Sequence, residues 1–167
     1  MRPVLDESQE SIEVIVGNLL STQKQTLAIA ESCTGGLVTH RLTNVPGSSA
    51  YLVAGVIAYA YEAKVAALGV TWETLNQFGA VSEETARAMA RGVRTKFGST
   101  LGLAITGIAG PGGGMPGKPV GLTFIAVADE AGERVERHVW QGSRIQNKEQ
   151  SAQAALGLLK NYLQARG

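Results

Sequence analysis

TLAIAESCTGG (residues 26–36) decides how this chain is read. Its first half, TLAIA, is an apolar run of the right length for a buried strand. Its second half carries Ser32, Cys33 and Thr34 into Gly35 and Gly36, ahead of a helical pattern. A buried strand turning straight into a helix is the repeating unit of α/β sheets, and ligands collect at the ends of such strands. Two hydroxyls and a thiol at that place raise the question of a nucleophile.

Upstream, QESIEVIVGNLLST (9–22) sets Ile12, Ile15, Val16, Leu19 and Leu20 at helical spacing. Downstream, GGLVTHRLTNV reads as a helix stopping before PGSS (46–49), and YLVAGVIAYA (51–60), apolar on both faces, reads as a central strand. EAKVAALGV and TWETLNQFG follow as short helices ending at glycine. SEETARAMARGVRTKFG has Ser82 as its N-cap, Glu83 and Glu84 in the first turn and Gly98 beyond its end. TLGLAIT (100–106) is a strand, and LTFIAVA and RVERHVW flank DEAG as a hairpin. Ser143 opens a capping-box pattern, SRIQ, for a closing helix to about residue 165. This order predicts an α/β fold: a three-layer α/β/α sandwich whose mixed sheet is covered by helices on both faces. One domain over 1–167 is expected.

Fifteen basic against 14 acidic side chains give no electrostatic reason to expect nucleic-acid or anionic-membrane binding, which leaves a small neutral or zwitterionic partner. The single Cys33 excludes an intrachain disulfide, and MRPVLDESQESIEV has no apolar stretch to serve as a signal peptide or membrane span. A cytoplasmic protein is expected.

In TGIAGPGGGMPGKPVG, Gly112, Gly117 and Lys118 match the spacing of a phosphate-binding P-loop, but Pro119 stands where a metal-binding hydroxyl belongs. A strand-like run rather than a helix follows, so nucleotide hydrolysis of that kind is excluded. The segment, about 107–121, fits a surface connection or a loop whose backbone approaches a ligand; Thr106 and Gly107 open it directly from a buried strand.

Ser32 and Thr34 lie where a helix's free N–H groups can stabilise negative charge, although either hydroxyl could instead cap that helix. Cys33 suits an apolar filler. His40, two turns down the helix, and His138, in the hairpin, are misplaced for a Ser-His-Asp triad. The remaining base is in AYAYEAK (58–64), with Tyr59, Tyr61, Glu62 and Lys64 at a strand-to-helix junction. A lysine kept neutral by burial can take a proton and a tyrosine hydroxyl can relay it. Spacing alone favours Lys64 as a solvated helix residue paired with Glu62 or another carboxylate.

AESCTGG, VPGSSAY, GVIAYAYEAKVAALGV, GAVSEETARAMA, AITGIAGPGGG and KPVGLTFIAVA, in this order, resemble the C-terminal domain of the CinA (competence-damage-inducible) proteins over about residues 8–165. The resemblance implies a nicotinamide-nucleotide amidase without metal or cofactor, converting nicotinamide mononucleotide into nicotinic acid mononucleotide and ammonia. It implies a Ser-Tyr-Lys constellation of Ser32, Tyr59 and Lys64, with Ser32 forming an acyl-enzyme and Lys64, helped by Tyr59, taking its proton. Amides near Thr34, Gly35 and Gly36 would hold the oxyanion, Thr106 would contact substrate beside Gly107, and Arg144 would take the 5′-phosphate. Ala60 and Tyr61 depart from the small polar residues usual before Glu-Ala-Lys, so a narrower pocket is expected. Many relatives carry a further N-terminal pyrophosphatase domain, and the chain resembles a stand-alone form. A homodimer is expected. A non-catalytic nucleotide-binding or interaction module, and an amidase or esterase for another small substrate, are the competing readings.

Overall fold

The computed structural model describes residues 10–167. The leaderless reading of residues 1–9 and the first residue of the expected opening helix fall outside them. The described elements are α1 (Ile12–Thr22), β1 (Leu27–Glu31), α2 (Leu37–Thr43), a 3-10 turn (Ser48–Ala50), β2 (Leu52–Ile57), α3 (Tyr61–Leu68), α4 (Trp72–Phe78), α5 (Glu83–Phe97), β3 (Leu101–Gly107), β4 (Leu122–Ala128), β5 (Glu133–Val139) and α6 (Arg144–Gln164). The strands form one mixed sheet in the order β2-β1-β3-β4-β5. β1 runs parallel to β2 and β3, β4 is antiparallel to β3, and β5 is antiparallel to β4.

The two faces of the sheet are built from different residues. Leu27, Ile29, Leu103, Ile105, Ile125 and Val127 pack with Val16 and Leu20 of α1, Leu42 of α2 and Leu156 and Leu159 of α6. Strand residues alternate sides, so the opposite face shows Ala28, Ala30, Ala104 and Ala126 to Met89, Ala90 and Val93 of α5. Small side chains bring α5 close to the sheet. Gly102 makes the approach closest: a Cβ there would stand 2.1 Å from the Ala90 carbonyl oxygen.

The helix ends follow the sequence. Ser82 accepts from the Thr85 amide, and Gly98 ends α5 in the left-handed conformation. Ser143 and Gln146 form the full capping box of α6. One placement is corrected. The run at 51–60 is the sheet's edge rather than a central strand, with Val53 47% and Ile57 55% exposed. An apolar run lacking charges reveals that a strand belongs to a sheet, not which neighbours it takes.

Candidate active site

β1 ends in a charged residue that the apolar run hides. Glu31 is fully buried and its carboxylate accepts five hydrogen bonds. Oε2 receives the Thr34 hydroxyl (2.6 Å) and the Gly36 and Val38 amides (both 3.1 Å). Oε1 receives the Thr39 amide and hydroxyl (both 2.8 Å). The free N–H groups that open α2 are therefore capped by a carboxylate from the preceding strand. Neither Ser32 nor Thr34 caps the helix, as the sequence allowed; Gly36, at φ 98°, stands at the cap position.

With Glu31 on that helix end, the expected oxyanion donors need correction. The Gly36 amide serves Glu31, and the Gly35 amide donates to the Ser32 carbonyl. Among the described residues, the amides of Cys33 and Thr34 have no protein acceptor. These two follow Ser32 directly.

Ser32 is 8% exposed, its amide bound to the Ile105 carbonyl of β3 (3.0 Å). Its Oγ accepts from Lys64 Nζ at 3.1 Å. Lys64, in the first turn of α3, is fully buried, which excludes the solvated reading. Nζ also donates to the carbonyls of Ala58 (2.8 Å) and Tyr59 (3.1 Å), and among the described residues it has no carboxylate partner. Burial without an anion lowers its pKa from 10.5 to about 8. A neutral amine has two N–H donors, matching the two carbonyls, and one lone pair, left for the Ser32 hydroxyl.

The other expected residues divide. Tyr59 meets Lys64 through its carbonyl, while its hydroxyl, on a side chain 58% exposed, accepts from Arg144 Nη2 at 3.1 Å; a relay through that hydroxyl is not formed. Arg144 Nη1 donates to the Gly110 carbonyl (2.7 Å), tying α6 to the glycine loop. Thr106 is buried, and its hydroxyl donates to the Ala80 carbonyl (2.7 Å). Gly107 backs Cys33: a Cβ there would stand 3.1 Å from Sγ. Cys33 is buried, which pushes its thiol up to about 12 and leaves little thiolate near neutral pH. Tyr61 turns its hydroxyl to the Ala80 amide (3.2 Å), so it braces the turn before α5. His40 is exposed on α2.

Sequence reasoning gave no role to Glu31 or Lys148. A carboxylate ending an otherwise apolar strand was the available signal for the first, since a buried charge must find donors. Lys148, one turn beyond Arg144 on α6, faces the Ser32 loop: a Cβ built at Gly35 would stand 3.7 Å from its Nζ. A larger hollow of about 630 Å³ between Gln23, Arg94, Asp129 and Arg166 lies at the other end of the strands. Among the described residues no three His, Cys, Asp or Glu side chains gather as a metal site, and no helix is long and apolar enough to cross a membrane.

A buried serine-lysine pair at the C-terminal ends of parallel strands in an α/β sheet defines the class of site. Comparison with known proteins gives the family. The model of the CinA C-terminal domain matches residues 9–163, and the chain belongs to that family. A CinA-like protein of Syntrophus aciditrophicus is 50% identical over 167 residues, covering 98% of this chain and 39% of the relative. One from Geobacter metallireducens is 48% identical over 154 residues, 92% of this chain and 37% of the relative. The chain thus spans well under half the length of these curated relatives. The crystal structure of competence damage-inducible protein A from Klebsiella pneumoniae superposes with a TM-score of 0.88 at 30% identity, covering 91% of this chain and 94% of that one. Competence/damage inducible protein CihA from Agrobacterium tumefaciens superposes at 0.84 with 36% identity, covering 96% and 99%.

Proposed function

We propose that the chain is a serine amidase that hydrolyses the carboxamide of nicotinamide mononucleotide to nicotinic acid mononucleotide and ammonia. The observation that carries the chemistry is the 3.1 Å contact between Ser32 Oγ and a buried Lys64 whose other acceptors are two carbonyls. The choice of substrate rests on the family resemblance.

Ser32 Oγ attacks the carboxamide carbon as its proton passes directly to Lys64 Nζ. The Cys33 and Thr34 amides stabilise the oxyanion. Collapse breaks the C–N bond, and the lysine ammonium returns its proton to the departing nitrogen, releasing ammonia. Water then attacks the ester while Lys64 takes one of its protons and passes it to Ser32 Oγ as the acid leaves, and the acid gives its remaining proton to the released ammonia or solvent. Arg144, supported by Tyr59, stands beside the nucleotide's phosphate. A homodimer and a cytoplasmic setting belong to the same reading.

The test is incubation with nicotinamide mononucleotide in the presence of chelator, following ammonia and nicotinic acid mononucleotide. Turnover that survives Cys33→Ala and disappears with Ser32→Ala supports the amidase. Binding without turnover in the parent chain overturns it in favour of a non-catalytic nucleotide-binding module. Turnover of other amides or esters with none of the nucleotide overturns the substrate.

A further inference from the structure

Two cations leave the start of α6, Lys148 toward the Ser32 loop and Arg144 toward the glycine loop, and they differ in what already holds them. Arg144 and Lys148 are four residues apart, on one face of the helix. Arg144 donates to the Gly110 carbonyl and the Tyr59 hydroxyl. Among the described residues the Lys148 ammonium has neither a hydrogen-bond acceptor nor a carboxylate within ion-pair distance. It is half-buried, lies against the backbone of Gly35 and borders a groove of about 340 Å³ between the start of α2 and the start of α6. Thr34 and Gly35 form one wall, Leu37 and Ile145 add apolar surface, and His40 and Glu149 also line it. Glu149 is exposed, and the Glu31 carboxylate beneath the loop is occupied by its five donors.

A half-buried ammonium without an acceptor, beside a groove of small-ligand size walled by the Thr34 and Gly35 that follow Ser32 in the chain, is a place for an anion. We infer that Lys148 is the principal ligand of the substrate's phosphate monoester, with Arg144 as the fixed second cation, so that Lys148 selects mononucleotides over nucleosides. The inference rests on the amidase reading for its substrate but not for its anion.

Binding of ribose 5-phosphate to the full chain, followed by calorimetry, tests the anion without requiring turnover. Lys148→Gln should weaken it by about tenfold or more, while Lys160→Gln, three turns further along α6 with the same change in net charge, leaves it unchanged. Lys148→Arg should restore most of the affinity, and Glu149→Gln should strengthen it. In kinetics, Lys148→Gln should raise KM for nicotinamide mononucleotide by a similar factor with kcat within about twofold, and should penalise the nucleoside far less. No binding by the parent chain, equal losses in the two glutamine variants, or a fall in kcat at constant KM would each overturn the inference. The last would put Lys148 on the oxyanion. Lys148-dependent ribose 5-phosphate binding in a chain that hydrolyses no amide would sustain the anion site and sink the amidase.

Discussion

Glu31 and Lys64 are both charged groups removed from water beside Ser32, and they are held in opposite ways. The carboxylate receives five donors, three of them backbone amides. The ammonium donates to two carbonyls and a hydroxyl, with no anion among the described residues. A buried charge whose lone pairs are all matched becomes a structural fixture; one left uncompensated shifts toward its neutral form and becomes reactive. The Ser32 loop thus gains a rigid shape from one residue and, on the amidase reading, a base beside it from the other.

The sharpest way to break the pair is at its reactive end. Lys64→Met should lower kcat by about a thousandfold or more, as should Ser32→Ala, both read in the ammonia assay. Yet Lys64→Met should stabilise the protein. Burial brings Lys64 from 10.5 to about 8, so between those values the folded chain binds fewer protons than the unfolded chain and stability rises with pH. Below about pH 8 the cost is fully present, and removing the amine should recover up to ~3 kcal/mol at pH 7 in urea titrations. A variant both inactive and less stable would mean that Lys64 is a structural strut.

Glu31→Ala should do the reverse, costing roughly 3–5 kcal/mol in the same titration by leaving amides and hydroxyls without acceptors. Unchanged stability would remove Glu31 from the role of fixture. In the parent chain the amidase reading predicts that kcat/KM rises about tenfold per pH unit below about 8 and levels off above it, as Lys64 loses its proton. A flat profile from pH 6 to 9 would show that neutral Lys64 is not required. The smallest effect should come from Thr39→Val, which deletes one donor to Glu31 while keeping the amide, for about 1 kcal/mol.

What the sequence revealed was local. Ser82 and Gly98 bound α5, and Ser143 with Gln146 opens α6, because capping chemistry is written in adjacent residues. The position of β2 in the sheet was not legible, since a run of apolar residues is compatible with centre or edge. The burial of Lys64 entered through family likeness, because spacing alone fitted a solvated pair with Glu62. Glu31 escaped notice for another reason: three of its partners are backbone amides, which any residue supplies, so nothing in their identities announces the contact. The redirection of Tyr59 to Arg144 depends on α6, 85 residues away along the chain, and no local pattern contains it.

The edge position of β2 has a consequence for assembly of the chain. Ser32 follows an interior strand flanked on both sides, whereas Lys64 and the two carbonyls that hold it follow the outermost strand. A chain whose last parallel strand has not docked therefore has a hydroxyl with no base beside it. On the amidase reading, the reactivity of Ser32 toward an acylating probe, followed during refolding, should therefore report closure of that edge.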